Sequence, residues 1–192
     1  MHARLFYLMG PSGAGKDSLL RRCRERLSTQ SCLVAPRYIT RAPELQGENH
    51  LSLSNAEFEQ RLQLGTFALH WDANGHRYGI GVEIDQWLAR GVDVLVNGSR
   101  GHLEQARARY GEHLVPLLLQ VDPQVLQQRL IARGRETPEQ IAARIARACW
   151  QDADNLADAV RIDNNRSLDT ALEQLLDAVQ RTSRRQESVG GH

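Results

Sequence analysis

Nine consecutive residues, Gly10, Pro11, Ser12, Gly13, Ala14, Gly15, Lys16, Asp17 and Ser18, have the make-up of an anion cradle. They read G-x-x-x-x-G-K, a spacing in which small residues let successive backbone N–H groups converge on phosphate oxygens and the lysine neutralises the β and γ phosphates. The segment predicts nucleotide phosphate binding. Position 17 departs from the pattern, because a Ser or Thr hydroxyl usually meets Mg²⁺ there. Two readings stay open. The Asp17 carboxylate is favourable in the first turn of a helix through the helix dipole alone, or it is a Mg²⁺ ligand, directly or through water, since magnesium prefers hard oxygen donors. Ser18 is the weaker substitute, because the next helical position points elsewhere.

Such a loop works only between a buried strand and a helix. Residues 4–9 (RLFYLM) form a short apolar run closed by Gly-Pro, which reads as a buried strand. After the loop, Leu19, Leu20, Cys23 and Leu27 recur at helical spacing. Further strands are expected at 32–38, 66–71, 92–97 and 114–121. Helices are expected at 54–64, with Ser54 and Glu57 as a capping box, and at 82–90, 103–110, 123–132, 138–153 and 168–182. The alternation predicts an α/β fold of P-loop type, a mainly parallel five-stranded sheet flanked by helices. One domain over 1–180 suits the 192 residues, with 181–192 as a flexible tail lacking apolar periodicity.

Composition narrows the partners. Apolar residues make up 41% and charged residues 24%, and the net charge of +1 offers no basic field for nucleic acid or an anionic membrane. No apolar run approaches the ~20 residues of a membrane span. Cys23, Cys32 and Cys149 lie far apart with no zinc spacing, so free thiols in a reducing cytoplasm are expected. Monomer and homodimer both remain open.

Four stretches together, GPSGAGK, Tyr38-Ile-Thr-Arg41, Arg133-Gly-Arg-Glu136 and Ile141-x-x-Arg144, resemble the guanylate kinase family in order and spacing, from Leu5 to about Leu176. The resemblance implies a kinase core, an acceptor-binding segment at about 37–80 and a lid at about 133–142. Three departures stand against guanylate as the acceptor. Leu69 sits where the family reads the base with a glutamate, His50 of Gly47-Glu-Asn-His50 stands in place of a phosphate-holding tyrosine, and Leu95-Val-Asn-Gly98 replaces the carboxylate-bearing L-D-I-D. Asp17 compensates the missing charge. With Tyr78-Gly-Ile-Gly81-Val-Glu-Ile-Asp85 and Val94-Leu-Val-Asn-Gly-Ser-Arg100, the variant set closely resembles the ribose 1,5-bisphosphate phosphokinase branch linked to bacterial phosphonate catabolism. That likeness implies ATP as co-substrate, Mg²⁺, and a sugar bisphosphate converted to 5-phosphoribosyl 1-diphosphate.

Within this resemblance Lys16, Arg133 and Arg144 are the catalytic cations, the latter two flanking a helix start in the lid; a solvated helix surface is the alternative for both. A base-free bisphosphate calls for several cationic or hydroxyl donors. Arg41 leads, because a guanidinium grips phosphate with two N–H groups; Arg37, His50, Tyr78 and Arg100 follow, with a structural hydrogen-bonding role equally open for His50. Guanylate kinase proper and a non-catalytic binding module are the rival readings. A GTPase lacks support, since no N-K-x-D base reader occurs.

Overall fold

The computed structural model describes residues 3–27, 31–42, 50–134, 136–149 and 156–187. All five residues of β1 (Leu5–Met9) are buried, as a strand paired on both edges and covered on both faces requires. Its parallel neighbours are β7 (Asp93–Asn97) and β8 (Leu114–Gln120). With β2 (Cys32–Val34) and β9 (Val160–Asp163) outside them, the sheet runs β2-β7-β1-β8-β9, parallel throughout. The expected five-stranded parallel sheet is present, but β9 takes the place foreseen for residues 66–71.

Those residues belong to a second sheet, ordered β4 (His50–Ser52), β3 (Arg37–Ile39), β6 (His76–Gly81) and β5 (Phe67–Ala73). The expected strand 32–38 divides between the two sheets at Ala35-Pro36, where proline has no N–H for a ladder. β5 and β6 form a hairpin over Asn74-Gly75, whose φ values of 52° and 76° suit a type I′ turn. Against this sheet packs α2 (Asn55–Gln63), started by the Ser54 Oγ, which accepts from the Glu57 N–H at 3.0 Å. Its Phe58 meets Phe67 with ring centroids 4.6 Å apart.

On one face of the parallel sheet α1 (Lys16–Leu27) buries Leu19, Leu20, Cys23 and Leu27 together with the apolar stripe of α7 (Leu168–Glu187). α7 runs past the expected end at 182 and through much of the expected tail. The Arg181–Asp177 ion pair and the Thr182 hydroxyl bonded to Ala178 O lie on the turn that carries it onward. Residues 188–192 lie outside the described residues. On the other face α3 (Glu83–Ala89) and α4 (Leu103–Tyr110) seat Ile84, Leu103 and Ala106 in a second core. α5 (Pro123–Arg133) and α6 (Pro138–Cys149) share a small core of Leu126, Leu130 and Ile141; the last residues expected in the second of these helices, 150–153, are not described. No helix among the described residues is long and apolar enough to cross a membrane.

Cys23 and Cys32 are buried in the core beneath α1, which pushes both thiols up to about 12, that of Cys32 further through Asp93 and Cys23. At pH 8 only about one in 10⁴ of each would be thiolate, the reactive form. In a Cys149→Ser variant, native protein is therefore expected to resist maleimide labelling, with both sites labelled in denaturant; rapid native labelling would contradict the packing.

Candidate active site

The phosphate loop leaves the carboxyl end of β1 and α1 begins at Lys16, the end of a parallel sheet where ligands bind. Gly13 and Gly15 have φ of 89° and 91°, which only glycine adopts without strain. A Cβ on Gly13 would lie 2.8 Å from Leu130 Cδ2, so the loop rests directly on α5. Ala14 departs from the expected role. Its side chain is fully buried, its N–H goes to Pro11 O and its carbonyl accepts from the buried Asn164 at 2.7 Å, which makes it a buttress of the loop. The other eight residues from Gly10 to Ser18 line a cleft of about 1260 Å³.

At the cleft floor the Lys16 ammonium donates to Gly10 O at 2.7 Å and Pro11 O at 2.9 Å. Burial holds its pKa down at about 8; Asp17 opposes that shift, while Arg37 and Arg100 add to it. Lys16 is also the only lysine in the chain, against 23 arginines. A cation so costly to keep desolvated is poised for a polyanion, which restores the charge by neutralising it.

Beside it, Asp17 Oδ1 accepts two hydrogen bonds, from Arg37 Nη2 at 2.8 Å and from Asn97 Nδ2 at 2.9 Å. Arg37 thereby reaches from the second sheet into the phosphate loop, with its guanidinium 5.7 Å from the centre of the Tyr78 ring. Arg41, Tyr78 and Arg100 join it on the cleft wall. The wall behind them is an aromatic stack: Trp71 lies parallel to Tyr78, centroids 5.6 Å apart, and also stacks with His102.

From the opposite side come Arg129, Arg133 and Arg144, on α5 and α6. Arg129 Nη2 donates to Asn164 O at 2.7 Å. Arg144 is held twice, by Ser12 Oγ of the loop at 2.6 Å and by Glu136 Oε1 at 2.8 Å. α6 thus touches the phosphate loop.

All the expected residues except Ala14 and His50 line this cleft. His50 is not among the cleft residues; it lies on the edge strand β4, paired in register with Arg37. Leu69, where a base reader was missing, is 2% exposed, packed in the core and not among the cleft residues. Residues 43–49 and Arg135 lie outside the described residues. Sequence reasoning missed Asn97, Arg21, His76 and Glu136, which also line the cleft, whereas Trp71, expected as core or pocket wall, is both. Asn97 carried a usable signal, since it ends an apolar strand just before Gly98-Ser99, at the ligand-binding end of a parallel sheet. Glu136 had none beyond its place in the lid motif.

Comparison with known proteins agrees with this architecture. Residues 2–182 match the guanylate kinase family model. Among relatives, a ribose 1,5-bisphosphate phosphokinase PhnN of Pectobacterium parmentieri is 55% identical over 169 residues, covering 88% of this chain and 89% of its own. Another from Azotobacter vinelandii is 54% identical over 176 residues, covering 92% and 95%. Among solved structures, a guanylate kinase from Anaplasma phagocytophilum superposes with a TM-score of 0.70 at 17% identity, covering 95% of this chain and 87% of that one.

Proposed function

This chain belongs to the guanylate kinase family, and we propose that it transfers the γ-phosphoryl of ATP to ribose 1,5-bisphosphate, giving 5-phosphoribosyl 1-diphosphate and ADP. The observation that carries the reading is the convergence of Lys16 with arginines from two sides of one cleft, Arg37, Arg41 and Arg100 on one and Arg129, Arg133 and Arg144 on the other, while Leu69 is sunk in the core. The names of the two relatives support the choice of acceptor.

The chemistry fits the residues. The acceptor oxygen belongs to the 1-phosphate and is already anionic at neutral pH, so no general base has to unmask it. Catalysis reduces to positioning two anions and neutralising the charge between them. Lys16 takes the β and γ phosphates together with the N–H groups of the loop and the start of α1. Arg41 and Arg100 hold acceptor phosphate, and Arg37 joins them by exchanging Asp17 for it. Arg133 and Arg144 supply positive charge at the transferring group, and Arg144, already anchored on Ser12, draws the lid over it and excludes water. Asp17 would hold Mg²⁺, which would supply charge neutralisation for the phosphates of ATP; a single carboxylate suffices, because magnesium commonly binds through one or two carboxylates plus substrate phosphates. Asn97 keeps that carboxylate oriented.

The test is turnover measured side by side on ribose 1,5-bisphosphate and GMP at saturating Mg²⁺. The sugar bisphosphate is expected to be preferred by about 10³-fold or more in kcat/KM, since the buried Leu69 stands where a carboxylate would accept from the guanine N–H groups. Preference for GMP would turn the reading into that of a guanylate kinase.

A further inference from the structure

Among the described residues, two uncharged polar side chains are buried, Asn97 and Asn164. Asn164 braces Ala14 through its Nδ2 and, although its Oδ1 also lacks a hydrogen-bond partner among the described residues, it is not one of the residues lining the cleft. Asn97, equally buried and equally half-occupied, differs in its place, since it ends β7 and lines the cleft. Its Nδ2 donates to Asp17 Oδ1 at 2.9 Å, which fixes the orientation of the amide, because the reverse would set two acceptors against each other. Its Oδ1 is buried without a hydrogen-bond partner among the described residues. A buried acceptor left unpaired is unfavourable and points to a positive group that arrives with the ligand.

P-loop proteins commonly hold Mg²⁺ with a neutral hydroxyl after the lysine and a carboxylate from a neighbouring strand. Here the helix position carries the carboxylate, Asp17, and the neighbouring strand carries the neutral oxygen donor, Asn97. The two touch. The site retains one negative charge and one neutral donor, with their places exchanged across a 2.9 Å contact.

We propose that Asn97 is the second protein oxygen donor of the cation site, its Oδ1 receiving the cation or a cation-bound water while its Nδ2 holds Asp17 in place. This rests on the reading of Asp17 as the Mg²⁺ ligand. It carries a specific consequence: the carboxylate serves the cation from either side of the contact, provided the other side offers a neutral donor.

The measurement is the affinity of Mn²⁺ for the enzyme–ADP complex, followed by the electron paramagnetic resonance of free Mn²⁺. Asp17→Asn is expected to weaken binding about 10–100-fold, and Asn97→Ala about 10-fold. The exchanged pair Asp17→Asn with Asn97→Asp is expected to recover affinity to within about 3-fold of the original, a gain that misfolding cannot produce. If Asp17→Asn alone leaves Mn²⁺ affinity unchanged, the magnesium reading of Asp17 itself fails. If Asp17→Asn weakens binding but Asn97→Ala does not, or the exchanged pair stays as weak as the single variant, the role of Asn97 is overturned.

Discussion

Lys16→Met is expected to lower kcat/KM for ATP by about 10³-fold or more, the scale of losing a preorganised cation at a transferring phosphoryl group. Lys16 alone rises from the loop floor, whereas the arginines of the cleft come from the second sheet, the turn after β7, α1, α5 and α6. The same residue gives a pH signature. Its folded-state pKa of about 8 lies below the ordinary 10.5, so between these values the unfolded chain binds more protons than the folded one. Lys16 accordingly contributes stability that grows as pH rises through that window. ATP acts in the opposite sense, since its phosphates favour the ammonium form and binding must take up a proton near pH 8 to 9. The sole lysine makes this directly measurable: after reductive ¹³C-methylation, one lysine resonance should titrate near 8 in the free enzyme and well above it with ATP. A free-enzyme midpoint near 10.5 would contradict the burial argument.

Arg144→Ala is expected to reduce kcat about 10²–10³-fold, in the range for one charge-stabilising donor at the point of transfer. KM for the acceptor should move far less, because the proposed acceptor contacts, Arg37, Arg41 and Arg100, lie on another wall of the cleft. Arg144→Lys should recover little. The guanidinium spans Ser12 Oγ and Glu136 Oε1 at once, and a lysine ammonium is a point charge without that fork. Single-turnover kinetics separate the two parameters; an equal loss in acceptor affinity would assign Arg144 to binding instead.

Local signals carried the core and failed where long-range partners decide. The run LFYLM, the glycine loop and the Leu19, Leu20, Cys23, Leu27 stripe are each sufficient in themselves, and β1, the loop and α1 follow them. β9 is four residues with only Ile162 fully buried, and its identity as a strand comes from pairing with β8. Nor does any local pattern say that residues 37–39 and 67–73 form a separate sheet, although Pro36 and the Asn74-Gly75 turn mark where the chain changes course. The cations were legible as residue types, because phosphate chemistry asks for arginine and lysine. Their partners were not. That Arg37 rests on Asp17, that Arg144 bridges Ser12 and Glu136, and that His50 falls on an edge strand outside the cleft are outcomes of tertiary placement.

The chemistry of transfer is read most directly by ³¹P NMR of the enzyme incubated with ATP, Mg²⁺ and ribose 1,5-bisphosphate. A sugar-bisphosphate kinase of this design produces ADP together with a new pair of coupled doublets, a diphosphate at C1, while the 5-phosphate monoester persists. Inorganic phosphate as the only new phosphorus product, or ADP formation only when GMP is supplied, would contradict it.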